Sequence, residues 1–408
     1  MAASNHWTER STVGLVSGGH FLSHFYIIVF PPLFPLLRAE FDVSTAALGL
    51  IVSIISLGML LQIPVGELVD RIGAKWILVA GIATTSIGVM VAGLANTYLV
   101  LVAGAAISGI GQASFHPANY PLLEAVSDDD RLGKNFSIHT FGGYVGFAAA
   151  PVIVGFLALT AGWRSALLLV GAVGVGYAVL TAVLLEPVYQ ANLDGTDDEA
   201  ETASTSSLSA LLQPTILIMA VFFIVFTMAE KGIQTFTPLL VIDGFGLSET
   251  VGNTTLSVFF AVASVTVLLG GVLADRYDPR AIIAGATTIA AGTMFVAVVD
   301  VVPIGALAAI VTFAVAGGAF GLVFASRDRL VSTYAAEGST GRSFGFVFTA
   351  SSLGSLSTPL LLGAAIDLSS TILAFALIAG CFLLSGLVVL LIGERSSAFL
   401  TGVASRGD

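Results

Sequence analysis

Twelve apolar stretches of about 20 residues or more, parted by short polar breaks, constrain this chain more than any other feature. They run over residues 12–37, 45–68, 76–95, 98–122, 136–159, 163–185, 214–242, 250–274, 281–299, 302–325, 344–366 and 371–392. A hydrocarbon layer roughly 30 Å thick is crossed by about 20 helical residues, so each stretch is long enough to span a bilayer. The composition agrees: 56% of the 408 residues are apolar and only 10% are charged, where soluble domains carry about 25% charge. Such a chain cannot hide its apolar surface in a water-soluble fold, and the expectation is an all-α integral membrane protein with twelve transmembrane helices.

The stretches lack the strict alternation that a membrane barrel needs to face lipid and lumen in turn. The first is too long for a cleavable signal and ends in Pro-Leu-Leu-Arg, so it reads as a span. The single cysteine, Cys381, has no intrachain partner and reads as a packed apolar side chain. The net charge of −11 is concentrated in Asp128-Asp129-Asp130 and in the stretch from Glu186 to Glu201, so no basic footprint for nucleic acid is present.

Orientation follows from the cations. With the N-terminus in the cytoplasm, Arg10, Arg71, Lys75, Arg131, Lys134, Arg276, Arg280, Arg327, Arg329, Arg342, Arg395 and Arg406 fall inside, Arg38 and Arg164 fall outside, and Lys231 alone lies within a span. The excess of Lys and Arg on one side places both termini in the cytoplasm of a plasma or inner membrane.

The chain also repeats itself. Gly66, Leu68, Asp70, Arg71 and Lys75 follow the second stretch, and Gly271, Leu273, Asp275, Arg276 and Arg280 follow the eighth at the same spacing. Lys134, Phe136, Gly146, Pro151 and Gly155 likewise align with Arg342, Phe344, Gly354, Pro359 and Gly363. Two pseudo-symmetric six-helix bundles are expected, over 1–185 and 208–408, joined by an acidic linker over 186–207 whose Asp, Glu, Ser and Thr suit a solvated tether. Parallel repeats of this kind hold a solute site between them near the midplane in one class of secondary transporter.

The duplicated Gly-x-Leu-x-Asp-Arg loop resembles the signature of the major facilitator superfamily. The resemblance implies the fold of that family and a gating role for the motif. Gly66 is expected to let helices approach closely, Asp70 to meet a helix N-terminus or an arginine as a latch, and Arg71 and Lys75 to pair with carboxylates across the seam. Most of the N-terminal half is further similar to the fosmidomycin-resistance branch, through His20 to His24 running into Pro31, Pro32 and Pro35, Gly109, Gly111, Phe115, His116 and Pro117, and Gly142, Gly143, Gly146 and Pro151. That branch implies proton-driven export of a phosphonate antibiotic; where it often carries an acidic residue one turn after the first histidine, this chain has His24.

Ionisable groups inside spans cost about 2.5–3.5 kcal/mol at the helix centre on insertion scales, so each is a candidate for substrate or proton handling. His20 and His24 are one turn apart on one face. Gln112, His116 and Asn119 form a polar stripe on the fourth helix. On the seventh, Glu230 and Gln234 share a face, and Lys231 points about 100° away, toward a different partner. The resemblance puts helices 1, 4, 7 and 10 around the central cavity, and these groups lie on three of the four. Each also has a plain structural alternative: hydrogen-bonded packing for the histidines, with His139 nearer the helix end, and an ion pair to a neighbouring helix for Glu230 and Lys231.

No third metal ligand beside His20 and His24 is evident in the spacing, no nucleotide-binding loop occurs, and no nucleophile and base stand at catalytic separation. No cofactor, metal or catalytic residue is therefore expected. The expected function is secondary active transport, as proton-coupled efflux of a small polar or anionic compound by a monomer. An importer or uniporter on the same scaffold, and a transporter-like receptor that no longer cycles, are the alternatives.

Overall fold

A computed structural model describes residues 2–186, 213–298, 304–335 and 340–392. The linker expected over 186–207, beyond Glu186, lies outside the described residues, as do Arg395 and Arg406. Twelve helices of membrane-spanning length and hydropathy are present among the described residues: α1 (Glu9–Phe41), α2 (Thr45–Ile72), α3 (Ala74–Gly93), α4 (Tyr98–Val126), α5 (Arg131–Ala161), α6 (Trp163–Leu184), α7 (Pro214–Gly244), α8 (Glu249–Arg276), α9 (Pro279–Val296), α10 (Ala306–Tyr334), α11 (Arg342–Leu368) and α12 (Thr371–Leu390).

Local chemistry sets the ends. Ser44, Thr97, Ser248 and Ser370 cap α2, α4, α8 and α12 by accepting a hydrogen bond from the backbone N–H three residues on, which satisfies donors that the first helical turn leaves free. All four caps open even-numbered helices, so in a chain that reverses direction at each crossing they lie on one side. Gly73, at φ +96°, separates α2 from α3 inside the repeated motif, a conformation that disfavours any side chain.

Within each half the helices approach closely through small residues. A Cβ added at Gly58 of α2 would lie 2.2 Å from the carbonyl carbon of Gly109 in α4, and one added at Gly88 of α3 would lie 2.3 Å from the Ser108 nitrogen. Lipid gives helices no hydrophobic reason to associate, so backbone proximity of this kind, with its dispersion and weak polar contacts, supplies the adhesion. The close approach expected at Gly66 is absent among the described residues: a Cβ there, or at Gly271, would meet nothing of them within 4 Å.

The two halves meet along α2 with α11 and along α5 with α8. The contact is tight toward the α1–α2 connection, where Gly49 lies under the Pro359 carbonyl, Gly363 under Thr45 and Ala46, and Gly155 against Asn253. The opposite end differs. From Gln62 to Ile72 only Val69 is buried, whereas the preceding segment of α2 buries eight of its residues. The bundles therefore separate toward the end that carries the repeated motif.

Candidate transport site

Four of the five histidines gather in the N-terminal bundle. The His20 ring lies 4.3 Å from His24, 5.5 Å from His116 and 3.8 Å from His139, measured between centroids, and it stacks on His139 at 12°. The grouping has a backbone cause: α4 breaks at Ala113 and Ser114 between its two helical segments, and α5 offers Gly143, where a Cβ would come within 2.9 Å of both the His20 and His24 rings. His20 Nδ1 donates to the His139 carbonyl at 2.9 Å. Its Nε2, together with Nδ1 of His24 and His116 and both nitrogens of His139, is buried without a hydrogen-bond partner among the described residues.

Spacing alone supplied a His20–His24 pair without a third ligand; in the folded chain His116 brings a ring nitrogen to within 4.8 Å of nitrogens from both. His139, expected to serve packing near the helix end, is part of the same cluster. Its sequence separation of over one hundred residues from His20 left no signal that could be read in advance.

Gln112 serves as a clasp: it accepts from the Ser23 hydroxyl at 2.7 Å and donates to the Ser23 carbonyl at 2.9 Å, tying α4 to α1. Asn119 is fully buried, and neither of its amide atoms has a partner among the described residues.

In α7, Lys231 does not turn to a different partner as its helical angle suggested. Its Nζ donates to Gln234 Oε1 at 2.7 Å, and Gln234 Nε2 donates to Glu230 Oε1 at 2.9 Å. The long lysine stem swings back along the helix and makes the three residues one polar chain, with the ammonium buried. Lys231 also lies within electrostatic reach of His24 across the bundle interface.

α10 holds a group that sequence reasoning assigned elsewhere. Arg327, counted among loop cations, stands inside the helix, which continues to Tyr334. Its guanidinium lies 4.3 Å from the Phe324 ring and 5.0 Å from Phe223, and it pairs with Asp328 at 3.2 Å. Phe324 meets Tyr144 of α5 at 5.5 Å, and the Tyr144 hydroxyl is within electrostatic reach of Glu230, Arg327 and Asp328. The apolar stretch read as ending at residue 325 concealed this pair, and the Arg-Asp-Arg run directly after it was the available signal. All four cavity helices named by the family resemblance thus carry ionisable groups.

The gating motifs stand apart from this centre. Asp70 is exposed, Arg71 lies 4.0 Å from Glu67 on its own helix, and Lys75 rests over the Trp76 ring. In the second copy, Arg329 of α10 reaches Asp275 at 3.3 Å, and Arg280 pairs with Asp278 while donating to the Ile392 carbonyl. These contacts stay within one bundle. The opposite end is closed across the bundles instead: Arg38 meets Asp243 through two hydrogen bonds of 2.8 and 3.1 Å. Beside them, Asp367 of α11 accepts from Thr45 N and Ala46 N of α2 at 2.8 Å each.

A fold of two six-helix bundles, closed at one end and parted at the end bearing the repeated motif, invites comparison with known proteins. The model of the Major Facilitator Superfamily matches residues 16–252 and again 224–405. The chain belongs to this superfamily. Among superfamily proteins, the fosmidomycin resistance protein of Escherichia coli (strain K12) is 26% identical over 95% of this chain and 94% of that one. The nitrite extrusion protein of Bacillus subtilis (strain 168) is 25% identical over 60% of each. A bacterial homolog of the human lysosomal transporter Spinster, solved inward-facing and unoccupied, superposes with a TM-score of 0.74 at 16% identity over 98% of this chain and 97% of that one. The chain is accordingly a multi-pass membrane transporter of the superfamily.

Proposed function

We propose that this transporter expels a small anionic organic compound, of the phosphonate class, in exchange for protons. The observation that carries the reading is the Lys231–Gln234–Glu230 chain: a buried ammonium and a carboxyl linked through one amide, with Arg327 on the helix opposite. An ammonium inside a span is costly unless partnered; an anion entering the cleft supplies a partner for Lys231 and Arg327, and the planar guanidinium suits phosphonate oxygens. Glu230 is then the group that takes the proton. It carries the proton back while the cleft is empty of substrate, which is what exchange requires. A phosphonate-resistance relative and an anion-extruding relative support the substrate class and the direction.

The motif-bearing end faces the cytoplasm in this reading, as the basic loops Arg71, Lys75, Arg276 and Arg280 require. The two bundles are units that rock over 1–185 and 208–408, with the acidic 186–207 segment as tether, and the transporter works as a monomer.

Proteoliposomes carrying a pH-sensitive dye test this. A phosphonate gradient is expected to drive a change in internal pH, and Glu230→Gln to abolish it while substrate binding survives. Flux indifferent to a pH gradient identifies a uniporter. Absence of flux across a broad anion panel identifies a receptor.

A further inference from the structure

We propose that His20, His24 and His116 form a binding site for a divalent transition-metal ion of the Zn²⁺ class inside the N-terminal bundle. The site stands on its own geometry and holds whatever the substrate or direction of transport proves to be. Three imidazoles from two helices place a ring nitrogen each within 4.8 Å of the others. Tetrahedral zinc with bonds of about 2.0–2.1 Å needs nitrogens about 3.3 Å apart, a closure that small ring rotations supply.

The arrangement has what a packing cluster does not need. His20 Nδ1 is committed to the His139 carbonyl, which puts the ring proton on that nitrogen and leaves Nε2 with its lone pair. Such a bond from the far nitrogen to a backbone carbonyl is how metal-bound histidines are ordinarily oriented. Nε2 of His20 and Nδ1 of His24 and His116 are then buried and unpartnered among the described residues, a costly state for any polar atom in a bilayer interior. A cation that accepts all three lone pairs removes that cost at once. The donor set selects the ion: nitrogen ligands without a carboxylate suit zinc, nickel or copper and disfavour magnesium and calcium.

Access exists as well. His116 stacks with Tyr120 at 6.0 Å, and Tyr120 is an exposed side chain within electrostatic reach of Asp328 in the opposite bundle, so an ion enters past Tyr120 from the cleft. Gly143 is part of the design, since its missing side chain is the space both rings occupy. Three protein ligands leave a tetrahedral ion one position for water or an anionic group.

The test is equilibrium dialysis of the tag-free, detergent-solubilised full chain against Zn²⁺, with metal analysis, and against Co²⁺, read by its visible absorption. Wild type is expected to retain one ion per chain and to show the intense bands of tetrahedral Co²⁺. His24→Ala and His116→Ala are each expected to weaken binding at least tenfold, and Gly143→Ala to do so without removing a ligand. Elution as a monodisperse peak separates lost binding from lost folding; should the alanine variants misfold, His116→Gln and the metal-dependent rise in Tm of wild type decide. Less than stoichiometric metal on wild type overturns the proposal, as does metal binding that survives loss of His24 and of His116.

Discussion

The Asp367 carboxylate, at the end of α11, accepts a hydrogen bond from the backbone N–H of Thr45 at 2.8 Å, across the line where the two bundles meet. Its second oxygen takes the N–H of Ala46, so an acid from one bundle caps the first turn of a helix in the other. A carboxylate there satisfies free donors and meets the positive end of the helix dipole. Such a bond must break whenever this end opens. The neighbouring Arg38–Asp243 pair is half-exposed and contributes only about 0.2–1 kcal/mol, which makes Asp367 the stronger half of the closure.

Asp367→Asn removes the charge and one of the two acceptors. A loss of about 1–2 kcal/mol changes the ratio of the two conformers roughly five- to thirty-fold. Labelling of a cysteine placed at Ser369 is expected to speed up by a factor of that order, with unaltered folding. Unchanged labelling removes Asp367 from the gate.

Asp70 tests the other end. With the motif end parted, this side chain is exposed, so Asp70→Asn is expected to leave the thermal stability of this conformer unchanged while altering transport rate at least tenfold. A Tm lowered by several degrees with normal transport assigns Asp70 to folding instead.

Lys231→Met keeps the volume and removes the buried ammonium. Methionine is tolerated in the apolar setting, so the variant is expected to fold and to lose substrate affinity by tenfold or more. Retained affinity displaces Lys231 from the anion site.

The close packing of α2 on α4 admits no side chain larger than hydrogen at Gly58, where a Cβ meets the backbone of Gly109 and not a movable side chain. Gly58→Val is expected to cost about 1–3 kcal/mol, read as a lowered Tm and a smaller folded fraction after solubilisation.

Much of this was legible in the sequence, for definite reasons. Bilayer thickness converts apolar run length into a helix count, and duplication converts one loop motif into two bundles. The polar residues of α1, α4 and α7 stood out because the bilayer makes them expensive. What stayed hidden depended on where side chains travel. Lys231 reached Gln234 because a four-carbon stem is not bound by its helical angle. His116 joined His20 and His24 through a break in α4 that no periodicity announces. Arg327 looked like a loop cation because α10 continues beyond its apolar run, with Phe324 and Phe223 shielding the guanidinium. Gly66 matched a known motif, yet no neighbour stands near it in this conformer.

The central claim is that two homologous bundles rock about a shared polar centre. It is tested most directly by paired spin-label distances in the Cys381→Ala background. One pair, Ala39→Cys with Leu368→Cys, reports the closed end; the other, Leu68→Cys with Tyr277→Cys, reports the motif end. On adding a transported anion across a pH gradient, the first distance is expected to lengthen as the second shortens. Distances that stay fixed, or that change in the same sense at both ends, contradict the account.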